Sequence, residues 1–328
     1  MNSAPFGKRT STFGERLLAD AKSVLGIFIA FVVIFTILSV ATNSFLTSQN
    51  LFNVTRQITV NIFLTCGMTF VILTGGIDLS VGSIIAVAGC LSGGLIAREG
   101  LPVVPAIMIG VLCGTLVGAF NGLVISRTRI PAFIVTLAMM NVCRGFVRIY
   151  TNTKTILVDD SVFAFIGTGR MLGKVPIHIV YVVVVCIVAA YILYRTRYGR
   201  HVYAIGDNEM AAVYTGINVR RVKFLTFVLS GFFASCAGVL SSARTHSAVF
   251  SVGEGAEMDA IASVVLGGTS MTGGVGGIGG SIIGALVIGI LGNGMNLLGI
   301  GSSWQYVVKG AILLLAVYVD YLRKKREG

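Results

Sequence analysis

Hydrophobic residues along this chain run in long, nearly unbroken blocks rather than in the short alternations of a half-buried strand. Ten apolar segments emerge, at about 24–41, 58–74, 83–97, 103–125, 132–150, 177–194, 224–243, 259–268, 281–299 and 304–319. Most approach the ~20 residues that a helix needs to cross a bilayer. The eighth is short and the third only just adequate. Lipid offers no partner to backbone N–H and C=O groups, so blocks of this length must be helices. The pattern predicts an all-α polytopic membrane protein of about ten transmembrane helices. Its transmembrane domain covers 24–319, after a cytoplasmic N-terminal segment 1–23 and before a basic cytoplasmic tail 320–328.

The polar interruptions are as telling as the blocks. Between Gln57 and Ala97 the single charged side chain is Asp78, in the run Gly75-Gly76-Ile77-Asp78-Leu79-Ser80-Val81-Gly82. A carboxylate so close to hydrocarbon costs several kcal/mol unless it caps a helix, pairs or touches water. The surrounding glycines let the backbone turn. A broken or tightly turned element and a polar interior follow. A related pattern, Gly255-Ala256-Glu257-Met258-Asp259, precedes the eighth segment. Asn121 near the end of the fourth segment likewise matches Asn296 near the end of the ninth. Two five-helix repeats are expected, and an odd number of spans per repeat inverts one against the other. Gly110, Gly114, Gly118 and Gly122 recur every fourth residue in the fourth segment, a stripe that lets another backbone approach closely.

Composition agrees: 55% of residues are hydrophobic and 12% charged, which suits repeated bilayer spans. The net charge of +12 could suggest nucleic acid, but no soluble face interleaves basic and aromatic residues, and no nucleic-acid partner is expected. The basic residues flank apolar segments instead. With both termini in the cytoplasm and sides alternating, 16 of the 25 fall inside, in the N-terminal segment, Arg127/Arg129, the loop 195–223 and the tail. Six fall outside, and Arg144, Arg148 and Lys309 lie within spans, as the positive-inside rule requires. The six cysteines all lie in apolar segments with no C-x-x-C pair, so they read as small packing residues. The basic lead, apolar run 24–38 and Ser39-Val40-Ala41 mimic a cleavable signal. An uncleaved first helix is expected, because removing it would leave an odd number of spans.

Enzyme motifs are absent: no phosphate loop, no HExxH, and three histidines far apart. The glycine run 273–280 follows no predicted strand, so a dinucleotide reading fails on context. No catalytic residue and no metal site is expected. The inner loop 195–223 is the best candidate for a mechanical site. Asp207 or Asn208 can cap a short helix over Glu209–Tyr214, and Gly216 suits its end. Such a helix either lies on anionic lipid or docks into a cytoplasmic motor, through Asp207, Asn208, Glu209, Ala211, Ala212, Thr215 and Gly216. Gln57, Asn61, Thr65 and Thr69 form a polar stripe on the second segment. They either line a path for a hydroxyl-rich solute or bond helices together. Asn121, Asn141, Asn293 and Asn296 add amides. Arg144 lies roughly 9 Å inside its span, either as a pathway group or in a salt bridge.

Four long motifs in order resemble the membrane-spanning permease of bacterial ribose-type ABC sugar importers. They are Gly67-Met68-Thr69 leading into Thr74–Ser83, Tyr203–Glu209 followed by Thr215–Val219, Glu257–Ala262 continuing to Val265–Ser270, and Asn293–Gly299. The likeness covers about 24–319, and Asp207 and Thr215 stand where close relatives often carry Gly and Ser. The resemblance implies a multi-pass protein of the inner membrane, importing a monosaccharide by means of ATP hydrolysed on another subunit. It implies a separate ATP-binding cassette protein holding ATP and magnesium, and a periplasmic or lipid-anchored sugar-binding protein. A second permease copy, or a homologous permease, completes the dimer. No cofactor is expected in this chain. The pathway residues would be Asn61, Thr65, Thr69, Asp78, Asn121, Arg144, Glu257, Asn293 and Asn296. Two other classes compete: an ion-coupled secondary sugar transporter with Asp78 as coupling acid, and a polytopic scaffold.

Overall fold

The computed structural model describes residues 13–171, 173 and 175–327. Within the N-terminal segment and the tail, Lys8, Arg9 and the side chains of Arg16, Lys22 and Arg323–Arg326 lie outside the described residues, as does Lys174. The chain is mostly helical. In order it forms α1 (Phe13–Ala41), α2 (Ser48–Leu73), α3 (Val81–Ala97), α4 (Val103–Arg127) and α5 (Ala132–Thr151). The strand β1 (Ile156–Leu157), α6 (Ser161–Thr168), β2 (Arg170–Met171) and β3 (Val175–Pro176) follow. Then come α7 (Ile177–Arg195), α8 (Arg197–Asp207), α9 (Glu209–Tyr214), α10 (Val219–Thr245) and β4 (Ser247–Ala248). The chain ends with α11 (Ala256–Leu266), α12 (Ile278–Leu297) and α13 (Ser302–Glu327).

Among the described residues, seven helices are long and apolar enough to cross a membrane: α2, α4, α5, α7, α10, α12 and Ser302–Leu322 of α13. Leu25–Ala41 of α1 and Val81–Ala97, which is α3, are shorter apolar helices. Helix α11 has 11 residues. A helix enclosed by protein is not held to the bilayer thickness, and the residues of α3 from Val81 to Cys90 are all buried. Local signals explain where the apolar runs and the helices part company. Helix α2 starts ten residues before its apolar run because the Thr47 side chain accepts the N–H of Asn50 and caps it. The Asp160 side chain accepts from Val162 and Phe163 and so opens α6, on a stretch with no long apolar run.

The two central helices are α2 and α10. They pack on each other, and α10 carries α3 and α4 on one side while α2 carries α11 and α12 on the other. The glycine stripe of α4 makes the closest seam. A Cβ at Gly118 would stand 2.4 Å from the Phe227 carbonyl and 2.9 Å from the Gly231 Cα, and one at Gly122 2.6 Å from the Phe224 carbonyl. Only hydrogens fit between these backbones. The opposite face of α4 shows Met108, Leu112, Leu116 and Phe120 outward, as expected of a surface facing lipid tails. Two small antiparallel pairs complete the fold, β1 with β4 and β2 with β3.

Candidate functional site

The Asp78 turn is built between the end of α2 and the start of α3. Gly75 takes a left-handed φ of 75° to leave α2. Asp78 is then wholly buried, with one carboxylate oxygen accepting from the Ser80 N–H at 3.0 Å and the Ser80 hydroxyl at 2.6 Å. The other accepts from the Ser230 hydroxyl of α10 at 2.8 Å. Asn121 of α4 donates to the Ser80 hydroxyl oxygen at 2.9 Å, and Thr136 of α5 ties down Ile77 and Leu79. Among the described residues the carboxylate has hydrogen bonds but no ion pair, and bonds to its charge make a buried acid tolerable. Helices α3, α4, α5 and α10 are tied at this one turn.

The second carboxylate turn precedes α11. Gly255, at φ 79°, caps the helix without a side chain. Glu257 in the first turn lies against Gly82 at the start of α3, and its Oε2 is buried with no hydrogen-bond partner. Arg144 reaches the same loop from α5, donating to the carbonyls of Val252 at 2.8 Å and Phe250 at 3.4 Å. Among the described residues Arg144 forms no salt bridge; its role here is to anchor that loop.

Between α2, α10, α11, α12 and α13 lies a cavity of about 240 Å³. Gln57 and Asn61 of α2, Ser241 and Arg244 of α10, Asp259 of α11 and Lys309 of α13 supply its polar lining. Asn61 donates to the Ser263 hydroxyl at 3.1 Å and toward the Ala285 carbonyl at 3.5 Å, leaving its own oxygen without a partner. Lys309 and Asp259 pair at 2.7 Å, and the other oxygen of Asp259 is buried and unpartnered. The predicted polar stripe therefore divides. Gln57 and Asn61 reach the cavity, whereas Thr65 and Thr69 are fully buried below it, with the Thr69 hydroxyl donating to the Thr65 carbonyl.

The remaining predicted pathway residues are spread over the fold. Asn293 exchanges two amide hydrogen bonds with Asn50, at 2.9 and 3.1 Å, joining α12 to α2. Asn296 accepts from Gln305 at 2.7 Å, and Asn141 donates to the Leu137 carbonyl within α5. Asp78, Asn121, Arg144, Glu257, Asn293 and Asn296 do not line the cavity. Sequence reasoning missed Arg244, Asp259 and Lys309 as a group. The available signal was a charge inside or at the edge of an apolar run, but the ion-pair partners stand 50 residues apart.

The loop 195–223 folds into two helices. The Asn208 side chain accepts from the Ala211 N–H at 2.9 Å and opens α9, and Gly216 at φ 82° closes it. Glu209 pairs with Lys223 at 2.7 Å, holding α9 to the foot of α10. Ala212 is buried, while Asp207, Asn208, Glu209, Ala211, Thr215 and Gly216 are exposed. Met210, Val213 and Tyr214 project apolar side chains outward, Tyr214 at 82% exposure. The preceding helix α8 lies where the sequence predicts plain loop. Its end is seated deeply: a Cβ at Gly206 would stand 1.9 Å from the Leu73 carbonyl and 2.4 Å from the Gly274 nitrogen.

Comparison with known proteins decides the family. A family model described as branched-chain amino acid transport system / permease component matches residues 50–317. The ribose import permease protein RbsC of Escherichia coli (strain K12) is 43% identical over 312 residues, covering 94% of this chain and 95% of its own length. That of Bacillus subtilis (strain 168) is 45% identical over 303 residues, 92% and 93% of the two chains. The chain belongs to the ribose-type ABC permease family. The L-arabinose ABC transporter permease protein AraH of Azospirillum brasilense, 38% identical over 335 residues, extends the likeness to 99% of this permease and 98% of its own chain. No solved structure matches this permease. Permease subunits are transport proteins, so the missing enzyme motifs fit the family. Several apolar helices and the family together make this permease a multi-pass protein of the inner membrane.

Proposed function

We propose that this permease is the membrane-spanning subunit of a binding-protein-dependent ABC importer that carries a monosaccharide inward. The observation that carries this is its likeness, over nearly the whole chain, to proteins named for ribose and arabinose transport. Its partners are a separate ATPase that holds ATP and magnesium, a sugar-binding protein outside, and a second permease copy or a homologous permease. The ion-coupled alternative is not favoured, since its coupling acid, Asp78, is sealed among hydroxyls away from the cavity.

In this reading both termini are cytoplasmic and the chain crosses ten times, in two inverted five-helix repeats. The packing supports it, because α2 with α11 and α12 mirrors α10 with α3 and α4. Asp78 and Glu257 stand at corresponding turns. Superposition of 58–125 on 234–300 should need an axis in the membrane plane, and a fit no better than arbitrary helix pairs would refute the repeat.

Helix α9 receives the ATPase stroke. Its exposed Met210, Val213 and Tyr214 suit an apolar groove on the motor, and Glu209–Lys223 passes the displacement to α10. Replacing Tyr214 with Asp should cut ATP-driven uptake about tenfold or more, the effect of burying a charge in an apolar contact, with assembly in the membrane unchanged. The functional reading as a whole is tested in proteoliposomes holding this chain, its ATPase and its binding protein. ATP-dependent pentose uptake that a protonophore leaves intact is expected. Protonophore-sensitive uptake by the permease alone would reverse the assignment.

A further inference from the structure

We infer that the cavity lined by Gln57, Asn61, Arg244, Asp259 and Lys309 is a resting site for one neutral sugar ring on its way through the permease. The inference rests on the proposed importer function and adds the residues that would hold its cargo. Its volume of about 240 Å³ lies below the ~300 Å³ at which pockets begin to take drug-sized ligands. It suits a single pyranose or furanose ring and excludes a disaccharide.

The polar inventory matches a polyol. Two buried acceptors lack donors, the Asn61 side-chain oxygen and one oxygen of Asp259. Buried oxygens of this kind are normally paired, and an unpaired one marks a missing group. Two hydroxyls of one polyol can donate to these oxygens and at the same time accept from the cations beside them. Those cations are Lys309, which already holds the other Asp259 oxygen, and Arg244. Among the described residues Arg244 has no ion-pair partner. Its planar fork of donors fits two adjacent hydroxyl oxygens. A carboxylate and a guanidinium across one small cavity thus complement a vicinal diol, with the apolar faces of Leu64, Ile85 and Ile288 against the ring. The Asp259–Lys309 pair is neutralised at contact, so among the lining side chains Arg244 is the charge left to a solute.

The position suits a transient stop. The site draws on α2 and α10, the two helices at the centre of the fold, and on α11 and α12, which pack on α2. Rocking of α10 with α3 and α4 against α2 with α11 and α12 would pull Arg244 away from Asn61 and Asp259 and release a solute that each wall holds by only one or two hydrogen bonds.

The test uses the complete importer in proteoliposomes, with radiolabelled D-ribose, D-xylose and L-arabinose as probes and binding protein in excess. Arg244→Gln and Asp259→Asn should each lower maximal uptake per ATP hydrolysed about tenfold, the worth of one charge-assisted hydrogen bond. Basal ATP hydrolysis and the amount of assembled complex serve as controls for folding. The exchange Asp259→Lys with Lys309→Asp separates a site from a strut, since it restores the ion pair but misplaces the acceptor. Uptake should stay low in the exchanged protein. Cysteine at Gln57, in a background without native thiols, should be protected from a water-soluble thiol reagent by D-ribose and not by sodium gluconate. Wild-type uptake by both single variants, full rescue by the exchange, or protection by gluconate alone would overturn the site. If the unmodified importer moves none of the three sugars, the importer reading fails instead, which is a separate result.

Discussion

Gly118→Leu should leave almost no folded permease in the membrane. The seam between α4 and α10 is bounded on both sides by main chain: the Phe227 carbonyl and the Gly231 Cα would stand 2.4 and 2.9 Å from a new Cβ. Neither atom belongs to a side chain that can rotate away. Nor can the helices separate locally, because Gly114 and Gly122 hold the same seam a turn above and below, against Ser235 and Phe224. Overpacking of a core costs about 1–3 kcal/mol when side chains can yield, and more where only backbone is available. A domain with roughly 5–15 kcal/mol of stability loses most of it in this way. Gly145→Leu on α5 is the matched control, since a Cβ there meets nothing within 4 Å. Fluorescence size-exclusion profiles of the two variants decide the point. A monodisperse Gly118→Leu peak at wild-type height, with an unchanged melting temperature, would mean that the seam is not close-packed.

The second large effect concerns Asp78, and here two substitutions should behave differently. Asp78→Leu removes the acceptor for the Ser80 N–H, the Ser80 hydroxyl and the Ser230 hydroxyl at once. Each buried donor left without an acceptor costs about 1–3 kcal/mol, so the total is about 2–6 kcal/mol even when one hydroxyl finds another bond. Folded protein should fall severely. Asp78→Asn keeps an oxygen for the Ser80 donors, and its amide can donate to the Ser230 hydroxyl, which reverses its own role. Folding should then change by less than about 1 kcal/mol. ATP-driven uptake by Asp78→Asn should stay within a few-fold of the wild-type rate. A well-folded Asp78→Asn protein with no uptake would show instead that the charge itself takes part in transport.

Much of the helical framework was legible because hydrocarbon imposes long apolar runs and tolerates few charges. The apolar runs of α4, α5 and α7 lie almost residue for residue on the helices. The Asn208 cap and the Gly216 stop of α9 were also readable, since both are local signals acting within one turn. Helix α8 was not. Its charged face, Arg197 and Arg200, reads as loop, while Val202 and Ile205 are buried on its other side. The amphipathic period is plain only once the packed wall beside it is known.

The polar residues divide in the same way. Asn61, Thr65 and Thr69 share one helix face by their spacing, yet Asn61 meets the cavity while the other two are sealed in the core. Spacing sets the direction a side chain takes around its own helix. It does not set how far along that helix the neighbouring helices stay apart. Asn293 is an amide inside an apolar run by sequence, and the fold pairs it with Asn50, 243 residues away.

By itself, then, the sequence determined a membrane protein, where most of its helices run, where they break, and the seam that brings α4 against another backbone. These follow from interactions along a helix, or between a helix and the solvent around it. Only the tertiary structure decided which buried polar groups are satisfied. It sealed Asp78 with Ser80 and Ser230, set Arg144 on the carbonyls of Phe250 and Val252, and brought Asn61, Arg244, Asp259 and Lys309 around one cavity. A buried polar atom is settled by whichever donor or acceptor the packing of distant segments brings within about 3 Å, and that distance is set by the packing of helices, not by their order along the chain.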